Sequence, residues 1–276
     1  MVATPSPELR TLARIAHRAG AIVMRHYEEG APARKKSDQS PVTDADEEAE
    51  AFILAELEKD FTGIAVVAEE EVAAGRLPKI GRRFFLVDPL DGTKEFVAGR
   101  NEFTVNIALV TRGTPLLGIV GAPALGLIWR GIVGRGAERL TFRENAAPLR
   151  EPIHTRACPL PKHSWMVAVS RSHGDPGTEA FIAARPGAVR IQLGSAVKFG
   201  RLAEGAVDIY PRLSPTCEWD VAAGHAVVTA AGGKVTDPSG AALRFGLAKD
   251  FLVPEFIAWG DPAAAEPSLR AQRGNP

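Results

Sequence analysis

Two carboxylates three residues apart, Asp88 and Asp91, follow directly on the apolar run 84–87, and Thr93 adds a hydroxyl two positions later. Acids this close repel each other unless a proton or a cation separates them. A hard divalent ion such as magnesium meets that need, because it takes carboxylates, carbonyls and water as ligands. The competing reading is a solvated Asp-rich turn that caps a helix. Glu69 also follows directly on an apolar run, 64–68, and opens the triplet Glu69-Glu70-Glu71. By composition alone that triplet reads as a solvated charged run. Asp220 falls in the first turn of a predicted helix, where the dipole favours an anion, so a simple cap would also explain it. Asp46 stands three residues after Thr43 and fits the capping-box pattern. Taken together, Glu69, Asp88, Asp91 and Asp220 suit a two-metal phosphatase, with ions about 3.5–4 Å apart sharing Asp88. No cysteine, serine or histidine stands beside a base partner as a nucleophile would, so attack by water is the simplest chemistry.

The elements that must position these acids follow from periodicity. Residues 8–27 form a helix with Leu9, Leu12, Ala13, Ala16, Ala19 and Val23 on one face. His17 and His26 lie on its polar side as surface residues. A polar loop at 30–40 carries Lys35 and Lys36, and a second helix from Thr43 buries Ala49, Phe52, Ile53 and Leu57. Strands are predicted at 64–68 and 84–87, the second stopped abruptly by Pro89 and Gly92. Runs at 103–110, 116–122 and 127–133 read as an antiparallel meander, with 138–153 as further strand or loop. The proline-rich stretch 152–161 marks a lobe boundary, giving lobes 1–155 and 156–276. In the second lobe, strands at 166–170, 189–193 and 207–210 alternate with helices at 178–184 and 195–204. A small-residue helix then runs from Cys217 to about 231.

Composition bounds the partners. The 276 residues carry 33 basic and 33 acidic side chains, so no global field favours nucleic acid, and an anionic substrate must be held locally. Two cysteines, Cys158 and Cys217, have no metal-ligand spacing, and a reduced interior is the default. No signal pattern opens the chain and no apolar run approaches about 18 residues, which predicts a cytoplasmic protein.

The run 88–93, Asp-Pro-Leu-Asp-Gly-Thr, followed much later by Trp-Asp-Val-Ala-Ala-Gly at 219–224, resembles the paired signatures of the inositol monophosphatase superfamily. The stretches 87–96, 101–108, 170–173 and 194–199 are similar to its 3′(2′),5′-bisphosphate nucleotidases, and the similarity spans roughly 40–237. The resemblance implies a layered α/β/α/β/α sandwich of the inositol monophosphatase and fructose-1,6-bisphosphatase type. Its first lobe would be α+β and its second α/β, with the site between them. It implies magnesium-dependent hydrolysis of adenosine 3′,5′-bisphosphate to AMP and phosphate, with the sulfated form PAPS as a further substrate, in sulfur assimilation. By the same resemblance Glu69 binds metal, Asp88 bridges two ions and the Leu90 carbonyl completes one site. Asp91 and Asp220 hold the second ion, and a third Mg2+ is admitted. Thr93 would orient the attacking water, with Asp46 behind it as proton acceptor.

Substrate contacts implied are Glu69, Leu90, Asp91, Gly92, Thr93 and Asp220, with Ser170, His173, Gly194 and Lys198 on the nucleotide side. Lys198 also makes physical sense there, since a cation behind a Gly-Ser helix start suits phosphate. One departure is Ala68, where the superfamily more often has Gly or Ser before the paired glutamates. An inositol or sugar monophosphatase would share every metal ligand. A non-catalytic, metal-dependent phosphometabolite sensor would keep the acids but lack the hydroxyl of Thr93. The implied partner is a small-molecule nucleotide, with no nucleic acid and no stable protein partner. A homodimer and loose attachment to the cytoplasmic face of the inner membrane are both admitted.

Overall fold

Leu9, Leu12, Ala13, Ala16, Ala19 and Val23 recur at helical spacing and form the buried stripe of α1 (Pro7–Glu29). Ser6 starts this helix by accepting from the Leu9 amide at 3.2 Å, and Gly30 ends it at φ 72°. The computed structural model describes residues 6–30, 34–35, 41–157, 164–172, 174–248 and 250–265. A two-stranded pair, β1 (Arg34–Lys35) and β2 (Pro41–Val42), precedes α2 (Asp44–Asp60), which packs on α1.

The next strands build one sheet. β3 (Ala65–Ala68) leads into the short α3 (Glu69–Ala73), and β4 (Arg83–Asp91) into α4 (Thr93–Val97). β5 (Thr104–Thr111), β6 (Thr114–Ala122), β7 (Leu127–Ile132), β8 (Gly136–Thr141) and β9 (Leu149–Ile153) complete seven strands in sequence order. The β3–β4 pair is parallel and the remaining pairs are antiparallel, so the expected meander is present. Because strand side chains alternate, Phe85, Val87, Ile107 and Ile119 face α1 and α2, while Phe84, Leu86, Ala108 and Val120 join the core on the other face.

The second sheet collects β10 (Met166–Ser170), β11 (Val189–Leu193), β12 (Ile209–Arg212), β14 (Lys234–Thr236) and β16 (Phe256–Trp259) in the order β11-β10-β12-β16-β14. The first three are parallel, and β16 runs antiparallel to β12 and β14. β13 (Thr216–Cys217) and β15 (Leu252–Val253) pair separately. α6 (Val197–Ala203) and α7 (Glu218–Ala230) fill the space between the sheets, and α5 (Pro176–Ala183) covers the outer face through Phe181 and Ile182. The layers are therefore α1/α2, sheet, α6/α7, sheet, α5, which is the expected sandwich. Close contact at the centre demands missing side chains. A Cβ on Gly224 would lie 2.2 Å from the Phe199 ring, and one on Gly118 would lie 2.2 Å from the Ala223 carbonyl oxygen.

One expectation needs correction. β4 does not stop at Pro89 but continues to Asp91, with its register against β5 broken between Asp88–Asn106 and Asp91–Thr104. A bulge tolerates proline because it leaves a ladder position unpaired. Pro152 lies inside β9; the first sheet ends at Ile153 and the second begins at Met166. Residues 158–163 of the proline-rich stretch lie outside the described residues. Among the described residues no helix is long and apolar enough to cross a membrane.

Packing between the sheets also sets a pH dependence. His225 of α7 is buried against the edge of Phe245, with Nδ1 lacking a hydrogen-bond partner among the described residues. Burial holds its imidazole down at about 4. The unfolded chain takes up this proton near pH 6.5 while the folded protein resists until about 4, so stability should fall as pH falls through that window. The full effect is about 3 kcal/mol at 1.36 kcal/mol per unit. Urea unfolding of wild type and His225→Gln at pH 7.5 and pH 5 tests this. The wild type should lose more stability on acidification, and parallel losses would refute the assignment.

Candidate active site

Strand register brings the first two acids together. In the parallel β3–β4 pair Ala68 lies opposite Val87, so the next residues, Glu69 at the end of β3 and Asp88 within β4, come side by side. The bulge that follows turns the chain through Leu90 and Asp91, and Gly92 reverses it at φ 90° into α4. A Cβ there would meet Ser195 at 3.1 Å, which adds a packing reason for glycine. Asp220 arrives from the other half of the chain, on the first turn of α7. One cleft is lined by Glu69, Asp88, Leu90, Asp91, Gly92 and Thr93 from the first half and by Ser170, Lys198 and Asp220 from the second.

The electrostatics of this cluster are those of unbalanced negative charge. Asp88 is 1% exposed. Burial raises its carboxyl well above the ordinary range, and Glu69, Asp91 and Asp220 push it further. Asp220 is pushed up to about 7 by burial, with Asp91 and then Glu69 adding to it. The acids meanwhile keep protein hydrogen bonds. Leu90 N donates to Asp88 Oδ1 at 3.0 Å, Ser195 Oγ and Ala196 N each donate to Asp91 Oδ2 at 2.7 Å, and Thr216 Oγ1 donates to Asp220. Accordingly, among the described residues no three ligand-type side chains converge on one point. The donor set still fits a hard divalent cation, since four carboxylates and the Leu90 carbonyl are oxygen ligands with charge to offset.

Thr93 and Asp46 meet as a pair. The Thr93 hydroxyl donates toward Asp46 Oδ1 at 3.3 Å and the Leu90 carbonyl at 3.2 Å, which leaves its lone pairs to the cleft. Asp46 Oδ2 accepts from the Thr43 amide at 2.8 Å. Capping and siting are thus served by opposite oxygens of one carboxylate, and the two readings of Asp46 were never exclusive. Asp220 also caps and lines the cleft at once: its Oδ2 accepts from the Cys217 amide at 3.2 Å, and the residue is part of the lining.

The nucleotide-side candidates divide. Ser170 and Lys198 line the cleft, and His173 lies outside the described residues. Lys198 is 2% exposed, and its Nζ donates to the Ser195 carbonyl at 2.6 Å and the Leu193 carbonyl at 3.3 Å. Burial lowers its ammonium to about 8. Gly194 is not part of the lining; its amide donates to Glu102 Oε2 at 2.8 Å, and a Cβ there would approach the Glu102 carbonyl to 2.6 Å. The backbone donors at 194 and 196 are therefore engaged by Glu102 and Asp91, not free for phosphate. Arg171 pairs with Glu102 at 3.1 Å.

Arg212, Tyr210, Glu95 and Ser195, none of them chosen from the sequence as a site residue, also line the cleft. Arg212 matters most: its Nε is buried without a hydrogen-bond partner among the described residues, although Nη2 donates to the Pro215 carbonyl at 3.3 Å. Glu95 is 4% exposed and accepts from Ser172 Oγ. Its place in the run Thr93-Lys94-Glu95 was the available signal.

A family model described as the inositol monophosphatase family matches residues 5–273. The chain belongs to the inositol monophosphatase family. Members of this family are metal-dependent phosphatases. The chain is 38% identical over 250 residues to the 3′(2′),5′-bisphosphate nucleotidase CysQ of Salmonella typhimurium, covering 90% of this chain and 98% of that one. It is also 38% identical over 213 residues to a histidinol-phosphatase of Mycobacterium tuberculosis, covering 75% of this chain and 78% of that one. Among solved structures, CysQ from Bacteroides thetaiotaomicron superposes with a TM-score of 0.74 at 32% identity, covering 91% of this chain and 96% of that one. Inositol monophosphatase membership accounts for the order of the layers and for the two runs, 88–93 and 219–224, that meet in the cleft.

Proposed function

We propose that this protein is a magnesium-dependent phosphatase that hydrolyses adenosine 3′,5′-bisphosphate to AMP and phosphate. The observation that carries the reading is the composition of one cleft: the carboxylates Glu69, Asp88, Asp91, Glu95 and Asp220 share its lining with three cations, Lys94, Lys198 and Arg212. A neutral chain needs such local cations for a substrate whose second phosphate is bound but not cleaved. The nucleotidase relative supports the same substrate class.

Glu69, Asp88, Asp91, Asp220 and the Leu90 carbonyl would hold the ions, two in number, with a third admitted. Magnesium, when bound, supplies positive charge that offsets the phosphoryl oxygens as negative charge builds on them. The protein's own groups do the rest. Thr93 Oγ1 accepts a hydrogen bond from the attacking water, and Asp46 Oδ1 takes the proton that the hydroxyl passes back. The water oxygen bonds to phosphorus, the ester bond to the 3′ oxygen breaks, and that oxygen takes a proton from a solvent water to leave as the sugar hydroxyl. Arg212 and Lys198 face the uncleaved 5′ phosphate.

The test compares phosphate release from adenosine 3′,5′-bisphosphate, inositol 1-phosphate and histidinol phosphate, in wild type, Arg212→Ala and Lys198→Ala. Loss of a charge-assisted contact, on the order of 1.5–3 kcal/mol, corresponds to about a 10- to 150-fold fall in kcat/KM for the bisphosphate. That fall should sit mostly in KM, and the single-phosphate substrates should change little. Equal losses on all three substrates would reduce both residues to structural supports. A wild type that prefers histidinol phosphate would transfer the function to the reading favoured by the mycobacterial relative.

A further inference from the structure

A helix start leaves its first amides without partners inside the helix, and a side chain at the preceding residue normally accepts from them. α3 begins after Ala68, which has no side-chain oxygen, and no local cap bond is made. The deficit is met from another helix. Glu50, on α2, accepts from the Glu70 amide through Oε2 at 2.8 Å and from the Glu71 amide through Oε1 at 2.9 Å. Those amides are the second and third of α3, the pair that a local capping side chain would have satisfied. Glu50 is itself 3% exposed, a depth at which an acid is rarely found without a partner.

Helical geometry explains why this residue and no neighbour does it. Asp46 and Glu50 are four apart, so both project from the same face of α2, in the stripe continued by Ile53 and Leu57. Asp46 reaches Thr93 at the start of α4, and Glu50 reaches the start of α3, where Glu69 is the first residue. Two acids one turn apart on a single rigid helix thus fix the two arms of the cleft.

We propose that Glu50 is a positioning residue for the metal-binding arm: it caps α3 from a distance and thereby sets the direction in which Glu69 enters the cleft. The inference rests on the phosphatase reading above. Removing the acceptors frees two amides and loosens the first turn of α3, with the cost carried to metal affinity through Glu69. Groups that orient a ligand from behind typically contribute 10- to 100-fold to affinity.

The experiment is calorimetric titration of the full chain with magnesium alone, in wild type, Glu50→Ala, Glu50→Gln and Leu57→Ala. Leu57 is a buried residue of the same stripe about two turns beyond Glu50, so its truncation reports general destabilisation of α2. Glu50→Ala should raise the magnesium Kd by about tenfold or more, and Glu50→Gln, which retains one acceptor, by less. Leu57→Ala should leave it unchanged. Phosphate release in Glu50→Gln should recover at high magnesium, a rescue that a purely structural defect would not give. Magnesium affinity unchanged in both Glu50 variants would overturn the proposal, as would equal weakening in Leu57→Ala. Should Glu50→Ala fail to fold, Glu50→Gln against Leu57→Ala decides the matter alone. A wild type that binds no magnesium would instead bring down the phosphatase reading itself.

Discussion

Asp88→Asn is expected to lower turnover on the order of 10³-fold or more and to abolish stabilisation by magnesium. The charge that bound ions contribute to a phosphoryl-transfer transition state is worth several kcal/mol, and each 1.36 kcal/mol is a factor of ten. Asp88 carries that charge for both ions in the proposed arrangement, and an amide of the same shape carries none. The metal-free protein should respond in the opposite sense. Asp88 is buried among Glu69, Asp91 and Asp220, so neutralising it removes a repelled carboxylate, and the metal-free melting temperature should hold or rise. Magnesium should then raise the wild-type melting temperature and leave the variant's in place, because a ligand stabilises only the state that binds it. Melting curves with and without magnesium, read beside turnover, check both halves. Near wild-type turnover in saturating magnesium would sink the two-metal assignment.

Thr93→Ala should lower kcat by about 10²-fold or more, the range for a group that handles a proton in the transition state. Thr93 makes no contact that fixes an ionised acid in place except through Asp46, which Thr43 holds independently at 2.7 Å. Magnesium affinity and product binding should therefore change little. Thr93→Ser keeps the hydroxyl and should recover part of the rate, limited by the extra rotamers that the β-methyl forbids in threonine. Single-turnover kinetics on the three proteins separate the outcomes. If Thr93→Ala chiefly raised KM, the hydroxyl would be a positioning contact for substrate, and the proton path through Asp46 would be wrong.

Much of the cleft could be read from sequence because its parts are local. Asp88, Asp91 and Thr93 sit within six residues on one strand end and turn, and their spacing survives folding almost unchanged. Apolar period marked α1, α2 and the strands that aim the turn, with errors at the ends: β4 runs past Pro89 because a bulge accommodates it. Asp46 and Asp220 were visible as caps, and folding adds a contact to each: Asp46 meets Thr93 through the oxygen that the cap does not occupy, and Asp220 joins the lining of the cleft.

Other features had no local signal. Glu50 looks like one more acid in the run Asp44-Ala45-Asp46-Glu47-Glu48-Ala49-Glu50 until the approach of α3 turns it into a cap. Lys198 reads as a free cation beside a Gly-Ser start, yet the fold gives its ammonium two carbonyls and turns the nearby amides toward Glu102 and Asp91. Arg212 follows Pro211 without any motif to mark it, and only the packing of β12 beside α6 brings its guanidinium to the cleft. Propensity and spacing act over a few residues, so the chain read alone shows which residues can bear charge, which stretches become strands and helices to within a few residues at their ends, and the chemistry of the 88–93 turn. Tertiary structure decided which of 33 acids are buried together and which cations keep a donor to spare, because burial and partnership depend on contacts between residues up to a hundred or more positions apart.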